Sequence, residues 1–253
     1  MAGDPPSPNG ASSFHLWWEF PGRPILVAVE ATLEIVEPPV VDRLYFWALQ
    51  ASFVDEMTGM IGGGGHFGLQ YNPRHSGNTA VNWGGYASKG PELEGSDSAL
   101  PGIPGDRNTR NYPWRPGRAY RLRVARSPDL GPDRLGAGPD AWRGSVTDLF
   151  TGETTVVRDL YARGRLLTSP LVWTESFARC DHPPVTVRWS DLAGETVDGS
   201  LVPPEAVRVS YQARRDGGCD NTTVMPTTEG FLQRTATARA VRDGAVLPNW
   251  GSD

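Results

Sequence analysis

Three short segments place chemistry-bearing side chains on one side of an extended strand. In residues 13–20, SFHLWWEF, the apolar Phe14, Leu16, Trp18 and Phe20 share one face, and His15, Trp17 and Glu19 share the other at about 6.8 Å per step. Residues 171–178 repeat the aromatic-then-acid step with Trp173 and Glu175, and Phe177 and Arg179 continue that face. In residues 65–71, His66, Gly68 and Gln70 alternate with apolar residues, and Gly68 leaves room for a ligand to approach the backbone. Flat rings beside carboxylates and amides suit a polyhydroxylated ligand, whose C–H faces stack on aromatics while its hydroxyls take paired donors and acceptors. The expected ligand-binding residues are His15, Trp17, Gln70, Asn82, Trp83, Trp173 and Arg179. The plainer alternative is that Trp17 and Trp173 merely cover a sheet edge.

The same residues allow an enzyme. Hydrolysis of a glycan needs two carboxylates about 5 to 10 Å apart, and Glu19 with Glu175 is the pair to consider. A lyase would use a neutral base such as His66, with Gln70, Asn82 or an arginine holding the substrate's acid group. Strong signatures are missing: no GxSxG elbow, P-loop, GxGxxG helix entry or HExxH occurs. The run Gly62–Gly65 reads as a flexible hairpin connection, because neither a Lys-Ser/Thr pair nor a helix follows it. No two of the four histidines have metal-ligand spacing, so no metal site and no cofactor are expected. Asp106 to Asn111 could wrap a hard cation, but an Asx turn is the better reading of that loop.

The elements that must position these residues are strands. Period-two alternation recurs in residues 120–124, 185–189 and 207–212, and about a dozen strands can be read between residues 14 and 238. No stretch of helical period with caps is present, so the expected class is all-β: a two-sheet antiparallel sandwich or jelly roll of concanavalin-like type. Thirty Gly and 23 Pro in 253 residues supply the turns. Residues 87–116 carry almost no β pattern and form a long irregular insertion. Residues 1–12 read as a disordered leader, 13–246 as one domain and 247–253 as a tail.

The net charge of −5 argues against a nucleic-acid partner, and no apolar run is long enough to span a bilayer. With no secretory signal at the start of the chain, the expected compartment is cytoplasmic. There Cys180 and Cys219 would stay as two buried thiols rather than one bridge.

The run Tyr45-Phe-Trp-Ala-Leu-Gln50, the strand Gly65-His-Phe-Gly-Leu-Gln70, Ala80-Val-Asn-Trp83 and the later Trp114-Arg-Pro-Gly-Arg-Ala-Tyr120 resemble an uncharacterised bacterial β-sandwich family. That family has a glycine, aromatic, GLQ strand followed by an aliphatic-x-Trp strand and a W-x-x-G-x-x-Y strand entry. The resemblance covers residues 43–161 and implies a neighbour of carbohydrate-active enzymes, usually exported. The two functions carried forward are binding of a saccharide or other polar small molecule on an aromatic-lined sheet face, and an acid/base enzyme on the same scaffold. That enzyme would be a glycan lyase or hydrolase, or one acting on a natural product.

Overall fold

The computed structural model describes residues 5, 10–88, 90–128 and 140–249. It is an all-β sandwich of sixteen strands among these residues. The strands are β1 (Ser12–Glu19), β2 (Leu26–Glu37), β3 (Tyr45–Val54), β4 (Ile61–Tyr71), β5 (Thr79–Ala87), β6 (Thr109–Asn111), β7 (Ala119–Arg126) and β8 (Asp140–Asp148). They continue with β9 (Thr154–Ala162), β10 (Leu166–Ser176), β11 (Thr186–Thr196), β12 (Leu201–Val202), β13 (Ala206–Tyr211), β14 (Thr223–Thr227), β15 (Gly230–Arg234) and β16 (Val246–Pro248). Every pairing is antiparallel. Among the described residues no helix is long and apolar enough to cross a membrane.

One layer runs β16-β13-β1-β10-β3-β4-β5-β6, and the other runs β14-β15-β11-β2-β7-β8-β9. A single pairing, Leu167 of β10 with Leu26 of β2, joins them into one hydrogen-bonded sheet. Between the layers lie Phe14, Leu16, Trp47, Leu49, Phe67, Trp83, Trp142 and Trp189, all fully buried. Buried indole N–H groups need acceptors, and they find them across the core: Trp83 Nε1 donates to Trp142 O at 2.9 Å, and Trp189 Nε1 to Gln233 Oε1 at 2.9 Å.

Glycines let neighbouring backbone and core rings come close to β4. At Gly68 the β4 backbone comes so close to β3 that a Cβ would lie 1.8 Å from Trp47 O. At Gly65 a Cβ would meet Trp83 and Phe53 at 2.7 to 2.9 Å. The run Gly62–Gly65 is therefore not a flexible connection; it belongs to β4, and at Gly62, Gly63 and Gly65 core rings or neighbouring backbone fill the space a side chain would take. The folded part also exceeds 13–246, since β1 begins at Ser12 and β16 pairs Leu247 and Pro248 with β13. Most of the expected leader, and residues 250–253, lie outside the described residues.

Cys180 and Cys219 form a disulfide, which corrects the expectation of two free thiols. The turn after β10 and the segment before β14 meet at the same end of the sandwich, with Cα atoms 5.5 Å apart. Apart from Ala87, the last residue of β5, and the short strand β6, the described part of the insertion 87–116 is irregular but pinned: Leu93 N donates to Gly85 O, Ser96 N to Asp159 O and Asn111 N to Pro101 O, each at 2.8 to 2.9 Å.

Candidate functional site

The register of the first layer fixes which side chains meet on its outer face, since partners across a ladder share a face. One row runs Ser13, Glu175, Phe46, Gln70, Ala80, Asn111 across β1, β10, β3, β4, β5 and β6. The next runs His15, Trp173, Ala48, Gly68, Asn82, Thr109. A third runs Trp17, Leu171, Gln50, His66, Gly84. Ala48, Gly68 and Gly84 give the face a floor of small residues; Trp173, Phe46 and His66 wall it on one side, and Gln70 and Asn82 supply amides.

The aromatic wall is closely packed. Phe46 and Trp173 meet edge to face with centroids 5.0 Å apart, and His15 and His66 lie 6.2 and 6.3 Å from Trp173. Trp173 Nε1 donates to Gln50 Oε1 at 3.1 Å, and Trp17 Nε1 to Ser210 Oγ at 3.0 Å. Burial pulls the imidazoles of His15 and His66 down to about 4, so both are neutral at physiological pH. Near pH 6.5 the unfolded chain takes up protons that the folded chain refuses, so the folded state loses ground as pH falls from about 6.5 toward 4. The melting temperature should drop across that window, and His15→Asn with His66→Asn should flatten the drop; an unchanged pH profile in the double variant would disprove the assignment.

Amide orientation is fixed at Gln70, which is 5% exposed: Asn72 Nδ2 donates to its Oε1 at 2.9 Å, so its own N–H groups remain to donate elsewhere. Asn82 Nδ2 donates to Thr109 Oγ1 at 3.0 Å, while its Oδ1 is buried without a partner. His75 Nδ1 lies 2.8 Å from Asn111 Oδ1, and its Nε2 is also buried without a partner.

The expected site residues divide into two groups. His15, Trp17, His66, Gln70, Asn82, Trp173 and Glu175 share the outer face. Trp83 and Arg179 do not join them, and Glu19 shares the face only at the far end of β1. Glu19 lies six residues along β1 from the partner of Glu175, about 20 Å at strand rise, and pairs with Arg208 at 2.8 Å on the rim. The two glutamates therefore cannot bracket one glycosidic bond. Trp83 follows Asn82 and so points the opposite way, into the core, where it is fully buried. Arg179 lies beyond the end of β10, exposed and paired with Asp181 at 3.1 Å. In the 106–111 loop, Asp106 Oδ1 accepts the N–H groups of Asn108 and Thr109, an Asx turn.

Sequence reasoning missed Phe46, Gln50, Asn72, His75 and Asn111. Phe46 and Gln50 sit in the run YFWALQ, where both faces of β3 are buried at most positions and alternation disappears. Trp173, 8% exposed and ringed by Phe46 and two imidazoles, is more deeply set than a surface stacking platform. Its replacement by Ala should cost about 3 to 5 kcal/mol of stability, as for a core aromatic. Denaturant titration of Trp173→Ala beside Trp17→Ala reads this: a loss at position 173 no greater than at the rim would place Trp173 outside the packed cluster.

No family profile and no curated protein matches the sequence. Among solved structures, the fold is similar to Scytalido-glutamic peptidase bound to a peptide-based transition state analog, at 8% identity over 90% of this chain and 98% of that one, with a TM-score of 0.47. A second structure of that peptidase, with a transition state analog inhibitor, aligns at 10% identity over 88% and 98% of the two chains, with a TM-score of 0.44. SCP-B, a member of the Eqolisin family of peptidases in complex with the tripeptide Ala-Ile-His, aligns at 8% identity over 93% and 99%, with a TM-score of 0.44.

Proposed function

We propose that the chain is a hydrolase acting at a carbonyl group, with Glu175 as general base and acid and Gln70 as the carbonyl's hydrogen-bond donor. The observation that carries this is the row Glu175, Phe46, Gln70, which sets a carboxylate and an oriented amide two strands apart on one sheet face. Two strand spacings put the two residues about 10 Å apart along the row, with Phe46 between them. Glu175 takes a proton from the water as its oxygen attacks the carbonyl carbon. Gln70 donates an N–H to the oxygen as it gains negative charge. Glu175 then returns the proton to the leaving group as the bond to carbon breaks.

The registers put one carboxylate, Glu175, in the three central rows, with Glu19 held on the rim by Arg208. That favours acyl-group hydrolysis over the two-carboxylate route to glycosides. Asn82 Oδ1, buried and unpartnered beside Gly68, suits a substrate N–H, as an amide chain would present. Incubation with a mixed peptide library in H₂¹⁸O tests the reading. The expected product carries ¹⁸O in a new carboxylate, and its formation depends on Glu175. Absence of any labelled product across pH 3 to 8, with the polar face still binding peptides, would turn the reading to a binding module.

A further inference from the structure

Beyond β6 the insertion builds a second recess. Its groove of about 810 Å³ is lined by Arg74, Arg107 and Arg110 together with Glu92 and Asp106. Neither carboxylate is idle: Asp106 caps its own turn, and Glu92 accepts from Asn108 Nδ2. Arg110 is committed as well, because its Nη1 donates to the Asp106 and Thr109 carbonyls, and Gly102 is the residue whose missing side chain lets it lie against the loop. Arg74 and Arg107 are exposed and have no ion-pair partner among the described residues. Behind them Arg158, 4% exposed, donates Nη1 to Arg107 O and to Asn108 Oδ1, both at 2.7 Å, and keeps a buried Nε without a partner. Burial pulls its pKa down, with the neighbouring Arg110 and Arg107 adding to the shift and Glu92 and Asp97 opposing it.

The groove borders the outer face of the first layer. Asn108 lines it and also packs against Gly84, which stands beside His66 in the third row. At the other end Asn111 ties the loop to the first row through Pro101. A chain lying across the strands over Gly68 and Asn82 would run off β6 into this recess.

We propose that the groove is a specificity subsite for an acidic segment of the chain being cut, with Arg74 and Arg107 as the groups that take its carboxylates. This rests on reading the outer face of the first layer as the hydrolytic site. Guanidinium–carboxylate contacts are bidentate and charge-assisted, which suits two uncommitted arginines on one groove. The test is fluorescence anisotropy with fluorescein-labelled hexaglutamate, beside hexaglutamine and a dT hexamer, on the full chain. Hexaglutamate should bind at least about tenfold tighter than hexaglutamine and weaken as salt rises. Arg74→Ala with Arg107→Ala should remove that preference without moving the melting temperature, and Arg74→Glu with Arg107→Glu should turn it toward hexalysine.

Glu175→Gln should leave hexaglutamate binding unchanged. Loss of turnover in that variant with binding intact supports both readings, whereas Glu175-dependent turnover with no acidic preference overturns the subsite alone. Equal binding of the two peptides, an unaffected double variant, or tighter binding of the dT hexamer each overturns it.

Discussion

Glu175→Gln should slow hydrolysis by about a hundredfold or more while leaving the protein folded, because general acid/base groups contribute on the scale of about 10² to 10⁴. The substitution keeps the size and the hydrogen-bonding reach of the side chain but removes the proton-accepting carboxylate. Its place in the ladder, between Ser13 of β1 and Phe46 of β3, is unchanged by the swap, since those pairings are made by backbone. Gln70→Leu should act on the other side of Phe46, costing about 10² to 10³ in kcat as loss of an oxyanion donor does. The two variants differ in what they leave: Gln70→Leu keeps the base, so its residual rate should still fall when Glu175 is also changed. Full turnover in Glu175→Gln, with product still labelled by ¹⁸O, would remove Glu175 from the chemistry and the row from the site.

Alternation made the strands and much of the face legible. His15 and Trp17 in β1, His66 and Gln70 in β4, and Trp173 and Glu175 in β10 each lie on the face that period two assigns, because one side of each strand meets a packed core. What alternation cannot supply is register. Glu19 shares a face with His15, yet the slide of β1 against β10 decides that Ser13 and not Glu19 stands beside Glu175. Asn82 and Trp83 are adjacent in sequence and opposite in direction, so a ligand role for one excludes it for the other. The glycines 62–65 of β4 read as a connection because composition records the missing side chain, while what stands in its place is the Arg163 backbone at Gly62, the β5 backbone at Gly63 and the Trp83 and Phe53 rings at Gly65. Short edge strands such as β6 and β16 fall below any periodicity window. His75 and Asn111 are 36 residues apart and meet only because β6 returns to β5.

Replacing Cys180 and Cys219 together with Ala should cost about 4 kcal/mol, the chain entropy released when a closed loop of about 40 residues is opened. For a chain of this length that corresponds to a fall in melting temperature of about 10 °C. The loss should reach the candidate site, because the bridge anchors the end of the ladder that carries Glu175. Cys219 N donates to Ser12 Oγ at 2.8 Å, and Asn221 Nδ2 donates to Cys180 O at 2.7 Å. Ser12 pairs with Ser176, one residue beyond the pairing of Ser13 with Glu175. Opening the bridge therefore frees the β1–β10 end next to the carboxylate before it disturbs the Trp47 and Trp83 core. Thermal unfolding with and without a thiol reductant, run on the wild-type chain and on the double variant, reads the effect. Reductant should lower the wild-type midpoint to that of the variant and leave the variant where it is. Turnover below the midpoint should fall in both, and equal shifts in the two proteins would show that the reductant acts somewhere other than the Cys180–Cys219 bond.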